Sequence, residues 1–390
     1  MSDKGLIAAI KREVHRLARR PMFVTVMVAV PLLFVVFIVS LLGEGLPIKV
    51  PTAVVDLDHS EMSRSVTRSL DAQELVDVTE LDLTYTDALA SVRRGDIFGF
   101  FVIPADFESD VLGGRRPTVS YYSNMTYFVP GTFSYKGFKT IAVNTATEVV
   151  KLKIEAMGLG SLMGDGMIQP VTVDTHPLGN PWTNYSYYLS PSFSAALLAL
   201  IIILTTIYTI TIEIKEETSR EWLDRAGGSI IVAVTGKLIP QTVIFSAVGV
   251  AVQALMFWVG GVPVSAGASV VTLIAAMILM VIATQGFALI ICSAVPNPRF
   301  ALSVGSLFGI LTFSFAGFSF PVESLYGALG VFSYIVPVRY YYLIYLNDAL
   351  NALPLYYSRY YFAALLVFPL ISGALLWNLK RWVRRPVYIP

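Results

Sequence analysis

Six apolar runs, each about the length that crosses a bilayer core, constrain this chain more than anything else in it. They are Met22–Leu42, Phe193–Ile212, Leu238–Val259, Val270–Val295, Phe300–Phe320 and Tyr361–Leu379. The composition agrees: 55% of the residues are hydrophobic and 14% charged, where soluble domains carry about 25% charged residues. The expected fold class is therefore a polytopic α-helical membrane protein. Pro31 and Pro240 interrupt two of the runs. Membrane helices tolerate proline where neighbours re-satisfy the freed backbone groups.

Lys and Arg set the expected topology. Residues 1–20 carry six of them, and Lys380, Arg381, Arg384 and Arg385 follow the last run. Both ends are expected in the cytoplasm, which requires an even number of spans. Leu325–Leu346 is also apolar, but it contains Pro337 and Arg339. Counting it as a span would put the basic C-terminal stretch outside, so it is expected as a re-entrant or interfacial helical segment on the outer side. Leu6, Ile10, Val14 and Leu17 recur at helical spacing, with Lys11, His15 and Arg19 on another face. This predicts an amphipathic helix on the cytoplasmic membrane surface within residues 1–20; the plainer alternative is a topogenic charge cluster. No cleavage site of signal-peptide type follows it.

The long polar region, 43–190, lies between the first two spans and is extracytoplasmic by parity. Its pattern predicts strands at 50–58, 75–81, 97–104 and 116–124, and helices at 60–72, 86–96 and 131–157. Such alternation implies an α/β unit. The second helix is expected to start at Thr86 and stop at Gly95, and the Gly- and Met-rich 157–167 is expected to be flexible. The Tyr-rich stretches Tyr121-Tyr122 and Tyr185 to Tyr188 read either as an exit surface or as aromatics at headgroup level, the second preferred for 185–188, just before a span.

No catalytic or metal-binding spacing is visible. The three histidines, His15, His59 and His176, fall in separate regions, and the lone Cys292 cannot form an intrachain disulfide. A P-loop is absent; the Gly-Lys at 236–237 is followed by Leu238. No cofactor is therefore expected on this chain. A net charge of +1 makes no case for nucleic acid.

Between the second and third runs stands a dense charged stretch, EIKEETSREWLDRAGGS (213–229). Glu216/Arg220 and Glu221/Arg225 have the acid-first i,i+4 order that supports a helix, and Gly227-Gly228 ends it. The bland reading is a solvated linker. Trp222, beside Leu223, is the counterweight: an aromatic among charges often anchors a protein contact.

Glu216-Glu217-Thr218-Ser219-Arg220-Glu221-Trp222-Leu223, with Ser229 and Gly236-Lys237-Leu238-Ile239-Pro240, is similar to the first cytoplasmic loop of ABC type-2 exporter permeases. Phe320-Pro321-Val322-Glu323-Ser324 resembles the same family's outer turn after the fifth span, with Pro321 and Glu323 as its key residues. Pro337-Val338-Arg339-Tyr340 falls where the family has its outer-helix segment. The resemblance covers essentially the whole chain, including the α/β domain between spans one and two. The sequence departs at Glu217, where Gly is usual, and at Ala226-Gly227-Gly228, where Thr-Pro is common.

The resemblance implies a dimer of six-span permeases, of one chain or two paralogues. It also implies separate ATPase subunits that carry ATP and Mg. The helix in 213–229 would dock on the ATPase through Glu216, Glu217, Thr218, Arg220, Glu221, Trp222 and Leu223. The expected organisation is thus a cytoplasmic helix (1–20), a first span (21–42), the outer domain (43–190) and a five-helix region (191–390). The expected location is a bacterial inner membrane, with a periplasmic adaptor as a further candidate partner. For a translocation path the candidates are Thr205, Tyr208 and Thr209, at i, i+3, i+4 on span two. These residues, and the small-residue stripe Ala301, Gly305, Gly309, read first as helix packing. So few intramembrane charges argue against an ion-driven carrier and suit an amphipathic, drug-like or lipid-like substrate. The alternative reading is a membrane-anchored receptor or scaffold whose outer domain binds a ligand or partner without transport.

Overall fold

The computed structural model describes residues 4–43, 45, 49–81, 83–156, 180, 184–295, 297–318, 322 and 326–384. It divides into two compact units, residues 1–45 with 177–390, and residues 46–176.

In the first unit, six helices among the described residues are long and apolar enough to cross a membrane. Spans one to six are Pro21–Leu41, Ser186–Lys215, Ile230–Trp258, Val270–Ala294, Pro298–Phe315 and Leu355–Arg384. Spans two, three and six outrun their apolar runs, because a helix does not have to stop where lipid does. Span three begins at Ile230 rather than Leu238, with the Ser229 hydroxyl accepting from Val232 N. Ser269 caps span four in the same way, and Asn297 caps span five ahead of Pro298, a favourable order for a helix start. Pro240 sits inside span three. Pro31 follows a wide π-helical stretch, Thr25–Ala29, where the missing N–H and the ring disturb the preceding turn.

Span two is the hub. Some 78% of its most apolar window is buried, against 28% in spans one, five and six. Those three therefore keep open faces for lipid or another chain. Span five packs on span two through its small residues. A Cβ at Gly305 would lie 2.5 Å from Ile207, and one at Gly309 would lie 2.3 Å from Leu200. The stripe on span five is thus a packing feature.

The segment after span five holds two nine-residue helices, Gly327–Ile335 and Pro337–Tyr345, broken at Val336. The first is roughly 14 Å long, and the second, which continues as a π-helical stretch to Leu350, is roughly 20 Å, so neither crosses a core of about 30 Å. Buried Arg339 donates to Ala316 O at 3.3 Å and lies 5.3 Å from the Tyr334 ring. Pro321 and Glu323 of the expected outer turn lie outside the described residues.

Span six carries aromatic girdles near both ends. Arg359 stacks over Tyr356 and Tyr360 at 3.7 and 4.7 Å, and Arg381 lies 5.8 Å from the Trp377 ring. At the helical rise, Tyr356 and Trp377 stand roughly 32 Å apart, the thickness of the hydrocarbon core that such belts flank.

The second unit is an α/β domain. Its strands are β1 (Val50–Asp56), β2 (Val76–Leu81), β3 (Gly99–Ile103) and β4 (Ser120–Ser123). The sheet order is β2-β1-β3-β4. β1 pairs in parallel with β2 and β3, and β4 runs antiparallel to β3. Central β1 is buried on both faces, so its sequence is nearly continuous in apolar residues. Val54, Phe101 and Ile103 face Val66, Leu70 and Phe107, while Val55 and Phe100 face Ala88 and Val92.

Helices Glu61–Asp71 and Tyr85–Arg94 lie where the pattern placed them. The second is capped by Thr84, not Thr86: Thr84 Oγ accepts from Asp87 N. It ends at Gly95 with φ 85°, a left-handed position that glycine takes without strain. A short helix at Phe107–Leu112 was not expected. The helix expected from 131 starts at Phe128 and is described to Ala156; the 157–167 stretch lies outside the described residues. Tyr121 stacks on Phe101 at 4.8 Å, and Tyr122 on Phe100 at 4.8 Å. Both rings thus stack on the sheet's own aromatics, and Tyr122 stays 39% exposed.

Candidate functional site

The charged loop resolves into three parts. Span two continues to Lys215. A turn follows at Glu216-Glu217, and then the two-turn helix Ser219–Arg225. Glu217 turns the chain with φ 58°. This is the left-handed region that glycine adopts most readily, so Glu217 accepts backbone strain at the position where the resembling family has Gly. Gly227 and Gly228, at φ 72° and 78°, stop the loop helix. Gly228 N donates to Leu223 O.

The loop helix presents two unlike faces. Glu216, Glu217, Arg220, Glu221, Asp224 and Arg225 are exposed. Glu221 and Arg225 form the expected i,i+4 pair at 2.8 Å. Glu216 does not pair with Arg220; it turns to Arg16 and Arg20 at 3.4 and 3.3 Å, because the turn at Glu217 breaks helical register between the two. The other face is inside the chain. Ser219 Oγ donates to Val383 O at 2.9 Å. Trp222 and Leu223 are only 2% and 6% exposed. Trp222 Nε1 donates to Ala233 O at 3.2 Å, and the Lys237 ammonium lies 5.2 Å from its ring. The expectation of an exposed Trp222 anchor is therefore corrected: the indole fastens the loop helix to span three.

The amphipathic helix Leu6–Arg19 lies against the same place. Its stripe buried against the protein is Ala9, Glu13 and Leu17, of which only Leu17 belongs to the expected membrane-facing set Leu6, Ile10, Val14 and Leu17. Leu6, Ile7 and Val14 remain exposed, an apolar edge suited to a membrane surface. A Cβ on Gly236 would come within 2.4 Å of the Ala9 Cβ, so glycine there lets the helix touch span three. Gly5 N donates to Arg225 O at 2.8 Å. Residues near both ends of the chain, Gly5 and Val383, thus meet one loop helix.

At the centre of these contacts is a buried ionic cluster. Lys237 Nζ bonds Glu13 and Glu213, each at 2.9 Å. Arg12 binds Glu213 bidentately at 2.7 and 2.9 Å, and Arg16 and Thr218 add further bonds to Glu213. Gln241 Nε2 donates to Glu13 at 3.1 Å and to Thr209 Oγ at 3.0 Å. Glu13, Glu213 and Lys237 are essentially fully buried. Isolated charges there would be prohibitive, so each requires its partners. Burial lowers the tendency of Arg12 to stay protonated, but its bonds to Glu213 outweigh this and raise its pKa above the usual value. The cluster locks the amphipathic helix, the end of span two, the loop turn and the start of span three into one block.

Sequence reasoning saw Lys237 within a Gly-Lys match and missed Glu13, Arg12, Arg16, Glu213 and Gln241 as a set. A signal was present. Glu13 sits in a stripe with Ala9 and Leu17, and Thr209/Glu213 and Lys237/Gln241 are i,i+4 pairs.

The three residues proposed for a path separate. Thr205 and Tyr208 line a groove of about 460 Å³ with Met22, Phe23, Ser303 and Ser306, between spans one, two and five. Thr209 turns instead to Gln241 in the cluster. Among the described residues, no group of three or more His, Cys, Asp and Glu is gathered that could hold a metal ion.

A family model described as ABC-2 family transporter protein matches residues 21–378. Comparison with curated proteins finds no match.

Proposed function

Because this chain belongs to the ABC-2 family of transporter proteins, we propose that it is the permease subunit of an ATP-driven exporter whose ATP and Mg sites lie on a separate ATPase chain. The location is a bacterial inner membrane, with the basic ends and the loop helix in the cytoplasm and the α/β domain outside. The observation that carries this reading is the two-faced loop helix. Its outer face offers Glu216, Glu217, Arg220, Glu221 and Asp224 to a partner. Its inner face is fixed by Trp222, Leu223 and the Lys237 cluster. A push on the outer face therefore reaches spans two and three without being absorbed by a soft loop.

In this mechanism Trp222 and Leu223 act as a strut, and the exposed charges act as the docking surface. Thr218 joins the two by bonding Glu213. The groove beside Thr205 and Tyr208 is half of a path. A second permease copy or paralogue on the open faces of spans one and five completes it. Its lining of aromatic, methionine and hydroxyl side chains suits an amphipathic, drug-like or lipid-like substrate. A periplasmic adaptor would meet the outer domain.

The test is co-purification with an ATPase encoded beside this chain, together with efflux of an amphipathic dye. Arg220→Glu with Glu221→Arg is expected to weaken ATPase assembly and efflux while leaving folding intact. If assembly and efflux both survive that reversal, the docking assignment fails and the receptor or scaffold reading returns.

A further inference from the structure

The two short helices after span five hold a cation that the transport reading does not use. Arg339, on Pro337–Tyr345, is 8% exposed. A guanidinium stays charged at any physiological pH, and a charge taken out of water needs an opposite charge beside it. Among the described residues the one hydrogen bond of Arg339 goes to Ala316 O, at 3.3 Å, and its Nε has no partner. Ala316 closes span five. A helix C-terminus offers the cation about half an elementary charge, and no carboxylate among the described residues bonds it.

The depth of the site names the missing anion. Counting spans from the charged loop puts the end of span five and the start of span six at the opposite membrane surface. Tyr326, Tyr334, Tyr356 and Tyr360 are all more than half exposed there, as aromatics at headgroup level are. The anion that a bilayer supplies at that level is the lipid phosphate, whose oxygens match the planar fork of an arginine. The route to the guanidinium is short. It lies 5.3 Å from the centre of the Tyr334 ring, and Tyr334 itself is 56% exposed.

We propose that Arg339 binds the phosphate of a bilayer phospholipid beside the end of span five, with the Tyr334 ring turning aside to admit it. The inference requires the spans to cross a bilayer, and it stands whether or not the exporter reading does.

The test places the full chain in dodecyl maltoside micelles, which bring no phosphate of their own. Two photoactivatable probes with the same acyl chains are compared, phosphatidylglycerol and diacylglycerol, each with a diazirine near the headgroup end of one chain. Adducts are located by peptide mass spectrometry, with labelling of 355–360 as the reference for depth. Relative to that reference, the phosphate probe is expected to label 327–345 about ten-fold more than the neutral one, the ratio for one charged hydrogen bond. Arg339→Gln is expected to abolish the preference, and Arg359→Gln, at an exposed arginine of the same membrane end, to leave it at 327–345. Dodecyl phosphate is expected to compete with the phosphate probe there, and inorganic phosphate is not. Equal labelling of 327–345 by both probes in the natural chain overturns the proposal; a counter-ion within the chain, such as Glu323, would give that result. A preference that survives Arg339→Gln, or competition by inorganic phosphate equal to that by dodecyl phosphate, overturns it as well. The comparison of probes uses the unaltered chain, so a folding defect in the variant cannot imitate the expected contrast.

Discussion

Replacing Lys237 by methionine keeps the length of the side chain and removes the one cation, among the described residues, that bonds both Glu13 and Glu213. The two carboxylates should respond differently. Glu213 keeps Arg12, Arg16 and Thr218. Glu13 keeps only its bond from Gln241, and it is 1% exposed. Stranding a buried charge in this way costs about 3–5 kcal/mol. At roughly 2–4 °C per kcal/mol for a unit of this size, Lys237→Met should lower the unfolding midpoint by about 6–20 °C.

Glu13→Gln alone leaves Lys237 with Glu213 and should cost less. The double variant removes both the cation and the stranded anion, so it should recover part of the loss. The expected coupling is on the order of 1–3 kcal/mol. The chain carries its own reporter: Cys292 is its single cysteine and is fully buried in span four. A thiol-reactive dye followed during heating reads unfolding directly. If the double variant is as unstable as the sum of the single losses, Glu13 and Lys237 are not coupled and the locked-block argument is refuted.

Three other outcomes follow from the same packing. Gly236→Leu should drive the amphipathic helix off span three and raise tryptic cleavage at Arg16 and Arg19 about ten-fold, with Ala9→Gly restoring part of the protection; unchanged cleavage would contradict the close contact. Trp222→Ala should cost about 3–5 kcal/mol by the Cys292 assay, whereas exposed Glu221→Ala should stay within about 0.5 kcal/mol. Gly309→Leu should cost about 1–3 kcal/mol by overpacking spans two and five, and a neutral result in the same assay would mean that the spans separate freely.

The six spans were legible because a bilayer core demands about 20 apolar residues in a row. The α/β domain was legible because β1 and β3 are short apolar runs punctuated by capped helices. Helix ends were less so: spans two and six run into polar flanks that hydropathy treats as loop. The cap moved from Thr86 to Thr84 because Thr84-Tyr85-Thr86 offers two similar hydroxyls, and only Thr84 stands three residues before Asp87. The ionic cluster escaped because its members are distant in sequence; Glu13 and Gln241 are 228 residues apart. Trp222 was misjudged for a related reason. Its charged neighbours suggest water, but its own position on a short helix points it at Ala233 and Lys237, which local sequence cannot reveal. The amphipathic helix offered two stripes at helical spacing, and the less apolar one, containing Glu13, faces the protein.

Site-specific photo-crosslinking with a candidate partner ATPase co-expressed tests the central proposal most directly. A photoreactive amino acid at position 220 should capture the ATPase chain, while one at position 222 should form adducts only within this chain. Capture of the ATPase from 222, or of nothing from 220, would contradict a loop helix that docks by its charged face and is braced by its aromatic one.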